Sequence, residues 1–218
     1  MTKLIGIDDA GRGPVLGPMI LAGVLIESNE EQTIKNMGAK DSKLLTPIQR
    51  GEIKEKIISK YEFHIEVSEP IEIDESDNLN YLEAIKTAMI INKLIKNLDE
   101  PVKVMVDCPS VNISSWSKDV QKLIEKAELV SLICEHKADL NHPVVSAASI
   151  IAKEKREEEM SKLRQEFKED FGSGYPSDPK TKEFIKENFN NLRYKKIIRF
   201  SWNTVKRLIK AKSQQSLF

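Results

Sequence analysis

The amino-acid sequence predicts an α/β fold, with a mixed central sheet of about five strands flanked by helices and a helical C-terminal extension. Two observations carry this prediction. Short apolar runs with strand composition alternate with segments of helical period, in the order strand, strand, helix, strand, helix, strand, helix, strand, helices. Residues 189–218 have a basic, helical pattern. We expect one α/β domain over residues 1–188 and a basic helical extension over residues 189–218.

The predicted strands are apolar and rich in β-branched residues. They cover residues 3–7, 19–26, 63–67, 102–107 and 129–134. Residues 19–26 form a continuous apolar run, which is typical of a central strand, and we expect this strand to pair antiparallel with the first. The later strands alternate with helices, which favours parallel pairing.

The predicted helices follow capping residues or have an amphipathic period. Thr46 and Pro47 give a capping hydroxyl followed by proline at the first helical position. Asp178 and Pro179 repeat this pattern. The helices are expected from residue 47, over 78–98 and 116–127, from 143 towards 171, from 179 to about 188, and over 201–212.

Composition indicates a cytoplasmic protein. The chain has 218 residues and two cysteines, Cys108 and Cys134, which lie in apolar runs without metal-ligand spacing. We expect both thiols to be reduced core residues. The sequence has no apolar run long enough to span a membrane and no N-terminal signal pattern.

Charge is unevenly distributed. The formal net charge is zero, which alone argues against a nucleic-acid partner, but eight basic and no acidic residues lie between Arg193 and Lys212. A basic segment of this kind is typical of a surface that binds a polyanion such as nucleic acid. Helix faces exposed to solvent also produce basic runs.

The first strand leads into adjacent carboxylates, Asp8 and Asp9, and then into a loop rich in glycine and proline. Adjacent carboxylates repel, and a divalent cation such as Mg²⁺ or Mn²⁺ removes the repulsion. Glycine amides next to a metal can approach a phosphate closely, so the stretch suggests phosphodiester chemistry. A solvated acidic pair in a tight turn is the plainer alternative. The dinucleotide-binding fingerprint is excluded, because Leu16 replaces its third glycine and Pro14 obstructs the helix.

Two further carboxylates follow later strands. Asp107 ends the fourth predicted strand, and Asp139 lies just beyond the fifth. Sites in open α/β sheets gather at the carboxyl ends of strands, so we expect these side chains to converge with Asp8.

Five motifs together resemble the ribonuclease HII family, in its single-chain archaeal or bacterial form. They stand in the family's order and cover most of residues 3–182. The motifs are GIDDAGRGP at 6–14, DSK at 41–43, HKAD at 136–139, VVSAASIIAK at 144–153 and GSGYPSDP at 172–179.

The resemblance implies a ribonuclease H-like fold and an endonuclease that cleaves RNA in RNA–DNA hybrids and on the 5′ side of single ribonucleotides in duplex DNA. It implies a two-metal site for Mg²⁺ or Mn²⁺, with products carrying 5′-phosphate and 3′-hydroxyl ends. The implied metal-binding and catalytic residues are Asp8, Asp9, Asp107 and Asp139.

The resemblance also implies residues that bind substrate. Gly11, Arg12, Gly13 and Tyr175 are assigned to the ribose 2′-hydroxyl, the group that separates RNA from DNA. We expect Lys43 and Lys137 to contact phosphate or to structure the site. His136 and His142 flank Asp139, and we interpret them as supporting groups in preference to metal ligands.

Asp9 departs from the family pattern, which usually has glutamate there. The aspartate side chain is shorter by about 1.5 Å, against a metal–oxygen distance of about 2 Å. Two alternatives therefore stay open: a different carboxylate-metal nuclease that cuts DNA alone, and a hybrid-binding protein that has lost catalysis.

The last five residues, QQSLF at 214–218, resemble a shortened sliding-clamp-binding peptide. The usual second aromatic residue is absent, and a frayed terminus is the favoured explanation of the segment.

Overall fold

A computed structural model describes residues 2–39 and 45–215 of the chain. Its strands form one sheet in the order β3-β2-β1-β4-β5. The strands are β1 (Lys3–Ala10), β2 (Met19–Glu27), β3 (Glu62–Ser68), β4 (Val102–Asp107) and β5 (Val130–Glu135). β1 pairs antiparallel with β2 and parallel with β4, and β4 pairs parallel with β5. The mixed sheet, its antiparallel first pair and its later parallel strands are confirmed.

Helices precede and follow these strands. They are α1 (Glu31–Asn36), α2 (Pro47–Ile58), α3 (Pro70–Glu75), α4 (Leu79–Ile95), α5 (Ile113–Lys122), α6 (Ala138–Asn141), α7 (Pro143–Phe167), α8 (Pro179–Asn188) and α9 (Asn203–Gln215). Thr46 caps α2 by accepting a hydrogen bond from the Gln49 amide, and Asp178 caps α8 through the Lys180 amide. Both predicted caps are confirmed.

Helices lie on both faces of the sheet. On one face, a Cβ added to Gly6 would overlap the backbone of Val144, so glycine allows the start of α7 to approach β1 closely. On the opposite face, Gly23, which pairs with Ile7, lies against Ile90 of α4.

Several predicted boundaries differ from the structure. β1 continues to Ala10 because Asp9 and Ala10 still pair with β2, so the two carboxylates lie inside the strand and not beyond its end. α7 stops at Phe167, where Lys168 takes a left-handed conformation with φ +53° that ends the helix. The prediction missed α1, α3 and α6, which have six, six and four residues and are too short to show a helical period.

The chain divides into two compact units. The first contains Met1–Ala10, Ile20–Glu66 and Asn78–Lys155, and the second contains Gly11–Met19, Val67–Asp77 and Arg156–Phe218. The domain boundary at residue 188 stays a prediction.

The second unit has its own hydrophobic core. Tyr194 packs against Phe167 and Phe184 at ring-centroid distances of 5.3 and 4.8 Å. The loop after β1 is fixed to residues 197–199: Leu16 bridges to Ile198, and the Gly17 amide donates to the Ile197 carbonyl at 2.8 Å. The loop Gly11–Met19 is therefore hydrogen-bonded to the C-terminal part of this unit.

Both cysteines are free thiols, and Cys108 is buried as predicted, whereas Cys134 is only partly buried. Burial raises the pKa of the Cys134 thiol to about 11, which keeps it protonated and unreactive near neutral pH. Across the described part of the chain, every helix is too short or too polar to cross a membrane.

Candidate active site

Asp8 and Asp107 lie on neighbouring parallel strands in the first unit. Ile7 of β1 is paired with Val106 of β4, and each of these residues is followed by an aspartate. Asp8 is only 6 % exposed. Burial raises the pKa of Asp8 well above its usual value, and the negative charges of Asp9 and Asp107 raise it further. The structure thus brings three of the predicted carboxylates together.

Two hydrogen bonds orient Asp8 against this repulsion. Its Oδ1 accepts from the Asp9 amide at 2.7 Å, and its carboxylate accepts from the side chain of Ser149 in α7. Ser149 is fully buried. Its role follows from the close approach of α7 to β1 at Gly6, which the sequence does not reveal.

Asp107 is tied to the segment that carries Asp139. Its Oδ1 accepts from the backbone amides of Lys137 at 2.7 Å and Ala138 at 3.4 Å. Lys137 has φ +58°, a left-handed conformation that is costly for a non-glycine residue and recurs at functional sites. Asp139 follows in α6 and is 8 % exposed. The backbone of residues 137–138 therefore links the third and fourth predicted carboxylates.

The donor chemistry of this centre fits a divalent cation. Across residues 2–39 and 45–215, no group of three or more histidine, cysteine, aspartate or glutamate side chains is placed so as to hold a metal ion. The carboxylates of Asp8, Asp9 and Asp107 nevertheless border one small cavity, and their mutual repulsion is what a hard cation with oxygen ligands would relieve. Asp8, Asp9, Asp107 and Asp139 are the residues that would hold it.

The two nearby histidines make other contacts. His136 Nδ1 lies 3.0 Å from the Cys108 carbonyl oxygen, and His142 Nε2 lies 2.9 Å from Glu135 Oε1. These contacts agree with the interpretation that both imidazoles are supporting groups.

In the second unit, the loop after β1 meets the loop that carries Tyr175. A Cβ built on Gly13 would lie 3.6 Å from Tyr175 Cε1, an ordinary van der Waals distance. The Val15 amide donates to the Gly174 carbonyl at 2.8 Å. Tyr175 is 42 % exposed, so its ring is available to a ligand beside the glycine loop. Gly13 therefore lies beside Tyr175, with Gly11 and Arg12 preceding it in the same loop.

A hydrogen-bond network fixes the Tyr175 loop. The Ser173 amide and hydroxyl both donate to Asp178 Oδ2 at 2.7 Å. The Gly174 amide donates to Thr181 Oγ1 at 3.0 Å, and that hydroxyl donates to the Phe171 carbonyl at 2.9 Å.

Arg156 was not predicted as a site residue, yet it joins the two loops. It is 4 % exposed, its guanidinium lies 5.4 Å from the centre of the Tyr175 ring, and Nη2 donates to the Ser173 carbonyl at 3.1 Å. A Cβ on Gly11 would lie only 2.5 Å from Arg156 Cδ. Burial lowers the pKa of Arg156.

The structure describes only one of the two lysines that were predicted to contact phosphate. Lys137 is exposed beside Asp107, and its backbone makes the contact described above. Lys43 lies outside the described residues.

Comparison with known proteins identifies the family. Residues 5–205 match the family model described as ribonuclease HII. The ribonuclease HII of Pyrococcus furiosus is 40% identical, over 98% of this chain and 95% of its own length.

The chain belongs to the ribonuclease HII family. It is therefore a metal-dependent ribonuclease H, an enzyme that acts on RNA–DNA hybrids.

Two solved structures extend this result. The ribonuclease H2 of Pyrococcus horikoshii OT3 matches with a TM-score of 0.86 at 36% identity, over 98% of this chain and all of that chain. A ribonuclease HII from Archaeoglobus fulgidus, described in complex with PCNA, matches with a TM-score of 0.81 at 36% identity, over 94% of this chain and 96% of that chain. The ribonuclease H-like fold is confirmed.

Arg199 is a second buried arginine that sequence reasoning did not connect with the loop after β1. It was counted only within the basic C-terminal run, yet it is fully buried and hydrogen-bonded to the loop after β1. Its partners are 182 to 188 residues away in the chain, so no local pattern could have identified it.

Proposed function

We propose that the chain, besides hydrolysing RNA in hybrids, incises duplex DNA on the 5′ side of a single embedded ribonucleotide and leaves 5′-phosphate and 3′-hydroxyl ends. The observation that carries this proposal is the exposed Tyr175 ring held against Gly13. An aromatic ring beside a glycine loop can contact the 2′-hydroxyl of a single nucleotide. Recognition of A-form groove shape would instead need several consecutive ribonucleotides.

We assign catalysis to Asp8, Asp9, Asp107 and Asp139, acting with two Mg²⁺ or Mn²⁺ ions. When bound, such ions supply an activated water and charge stabilisation at the leaving 3′-oxygen. The protein's part is to hold the carboxylates in fixed directions. The Ser149 hydroxyl orients Asp8, and the amides of Lys137 and Ala138 orient Asp107.

We assign recognition of the ribose 2′-hydroxyl to the second unit. The amides of the glycine loop donate to the 2′-hydroxyl, and the Tyr175 ring packs on the ribose beside it. Arg156 lies over one face of that ring, so the ring is positioned before substrate arrives. Lys43, Lys137 of the first unit and the basic residues of α9 contact phosphates along the duplex.

Three matched duplexes test the proposal: an RNA–DNA hybrid, a DNA duplex with one ribonucleotide, and the same duplex without it. In Mg²⁺, we expect the first two to be cut and the third to stay intact. Tyr175→Ala should lower kcat on the single-ribonucleotide duplex by about tenfold or more, with binding changed by less than about threefold. End-labelled products establish the side of incision and the chemistry of the ends.

The proposal fails if the wild-type enzyme cuts the hybrid and ignores the single ribonucleotide. Tyr81→Ala is the control, because Tyr81 is similarly exposed, at 47 %, but lies in α4 of the first unit. It should leave kcat unchanged on both substrates.

We also propose a sliding clamp as a partner, through residues 214–218. Two facts support this: the resemblance of QQSLF to a clamp-binding peptide, and the PCNA complex of the 36% identical Archaeoglobus fulgidus enzyme. Deleting residues 214–218 should abolish binding to a cognate clamp while leaving hybrid cleavage intact. If the full-length and shortened chains bind the clamp with equal affinity, the proposal is wrong.

A further inference from the structure

Arg199 makes three hydrogen bonds to the loop after β1. Its side chain is fully buried. Nε donates to the Gly17 carbonyl at 2.9 Å, Nη1 to the Arg12 carbonyl at 3.1 Å and Nη2 to the Gly11 carbonyl at 2.7 Å. Burying a guanidinium group costs free energy of desolvation. Here the hydrogen bonds from its planar set of N–H donors to the three carbonyls offset that cost.

Trp202 completes the arrangement. Its ring lies under the guanidinium, 4.9 Å from Arg199 Cζ, and its Nε1 donates to the Gly13 carbonyl at 3.1 Å. Three consecutive carbonyls, those of residues 11, 12 and 13, are therefore all turned towards this pair. We call Arg199 and Trp202 the carbonyl clamp.

The direction of these carbonyls determines the direction of two amides. Among the described residues every peptide bond is trans, so each N–H points opposite to the carbonyl of the same peptide unit. The Arg12 amide shares a unit with the Gly11 carbonyl, and the Gly13 amide shares one with the Arg12 carbonyl. Both amides therefore point away from Arg199.

The positive charge also strengthens these donors. A guanidinium bound to a carbonyl oxygen polarises the whole peptide group, which makes its N–H a better donor to an oxygen on the other side. The Gly13 amide lies on the residue that borders the Tyr175 ring. The clamp thus provides directed, polarised donors next to the exposed aromatic surface.

We propose that Arg199, supported by Trp202, is a positioning residue for ribonucleotide recognition. It holds the Arg12 and Gly13 amides towards the ribose 2′-hydroxyl and so sets the alignment of the phosphate to be cut. This inference rests on the proposed function, since it concerns the same 2′-hydroxyl.

Arg199→Lys is the decisive variant. Lysine keeps the charge but has a single nitrogen, which cannot serve three carbonyls in the geometry of the arginine fork. We expect kcat on the single-ribonucleotide duplex to fall about tenfold to a hundredfold, with KM changed by less than about threefold. Binding to the matched all-DNA duplex should be unchanged within about twofold, because that duplex has no 2′-hydroxyl to read.

Trp202→Phe provides a milder second variant. Phenylalanine keeps a ring under the guanidinium and removes only the hydrogen bond to the Gly13 carbonyl. The expected loss in kcat is about threefold to tenfold. This variant decides the question if Arg199→Lys does not fold.

Arg193→Lys is the matched control. Arg193 also donates to a backbone carbonyl, that of Phe167 at 2.6 Å, and lies over the Phe167 and Tyr194 rings, but it does not contact the glycine loop. It should keep kcat within about twofold of the wild type.

Circular dichroism distinguishes positioning from a purely structural role. All variants are assayed at a temperature where they are fully folded. If folded Arg199→Lys or, where that variant does not fold, folded Trp202→Phe turns over the single-ribonucleotide duplex like the wild type, the inference is wrong while the proposed function stands. If the wild type itself does not cut that duplex, the proposed function fails and the inference fails with it.

Discussion

At the scale of single residues, two carboxylates of the site are held in fixed directions by hydrogen bonds. Asp8 and Asp107 accept backbone amide hydrogen bonds, and Asp8 is also held by Ser149. Fixed carboxylates avoid reorganisation when charge develops in the transition state. The consequence is that removing one carboxylate should affect turnover much more than substrate affinity.

The first prediction tests this consequence. Asp8→Asn, Asp107→Asn and Asp139→Asn should each lower kcat on an RNA–DNA hybrid by about a hundredfold or more. Hybrid affinity should stay within about threefold, as measured by fluorescence anisotropy in EDTA. Asp119→Asn is the control, because Asp119 pairs with Lys122 on the surface of α5. Near-normal turnover in any site variant would remove that residue from the set of metal ligands.

The second prediction concerns Asp9, where the family usually has glutamate. Its side chain is shorter by about 1.5 Å, which weakens its reach to a metal with oxygen distances of about 2 Å. Asp9→Glu should keep or raise kcat and lower the Mg²⁺ concentration needed for half-maximal rate. A tenfold fall in kcat would mean that the surrounding side chains have adapted to the shorter residue.

At the scale of elements, the glycine loop has two glycines with different constraints. Gly11 has φ +87°, and a Cβ there would lie 2.5 Å from Arg156 Cδ. Gly13 has no positive φ, and its Cβ would make ordinary contact with Tyr175 at 3.6 Å. The loop therefore needs glycine for its conformation at the first position, whereas the second has room for a methyl group.

The third prediction compares the two positions. Gly11→Ala should lower Tm by about 2–6 °C, because alanine is strained at positive φ and the Arg156 side chain must move. Gly13→Ala should change Tm by less than about 1 °C. Differential scanning calorimetry at one pH measures both. Equal shifts for the two variants would contradict this account of the loop.

The sequence predicts elements whose signals are local. The caps at Thr46 and Asp178 and the apolar run of β2 are read directly from neighbouring residues, and the structure confirms all three. The end of β1 was misplaced because Asp9 and Ala10 stay paired with Leu21 and Ile20 of β2, which lie ten or more residues away in the chain. Arg199 was missed for the same physical reason, since long-range packing decides its contacts.

At the scale of the whole molecule, the motifs and the alternation of strands and helices were sufficient for the fold and family. They could not reveal the two buried arginines, Arg156 and Arg199, that support the substrate loops. Basic residues in sequence give no sign of whether they face solvent or carbonyl oxygens. The four aspartates stood out in the sequence, because each lies in a strand or a few residues after one.

The last prediction concerns the stability of the whole chain without metal. Burial and the charges of Asp9 and Asp107 raise the pKa of Asp8 in the folded state above its unfolded value. The folded chain then binds this proton more tightly than the unfolded chain, so the stabilisation is present at low pH and is lost as pH rises through the raised pKa. In EDTA, Asp8→Asn should therefore have a higher Tm than the wild type at neutral pH, by about 2–6 °C, and the gap should close on acidification.

Added Mg²⁺ should raise the Tm of the wild type more than that of the variant, because binding to the folded state stabilises it. Asp99→Asn, at a fully exposed carboxylate, is the control. A variant less stable than the wild type in EDTA at every pH would show that the hydrogen bonds to Asp8 outweigh the repulsion around it.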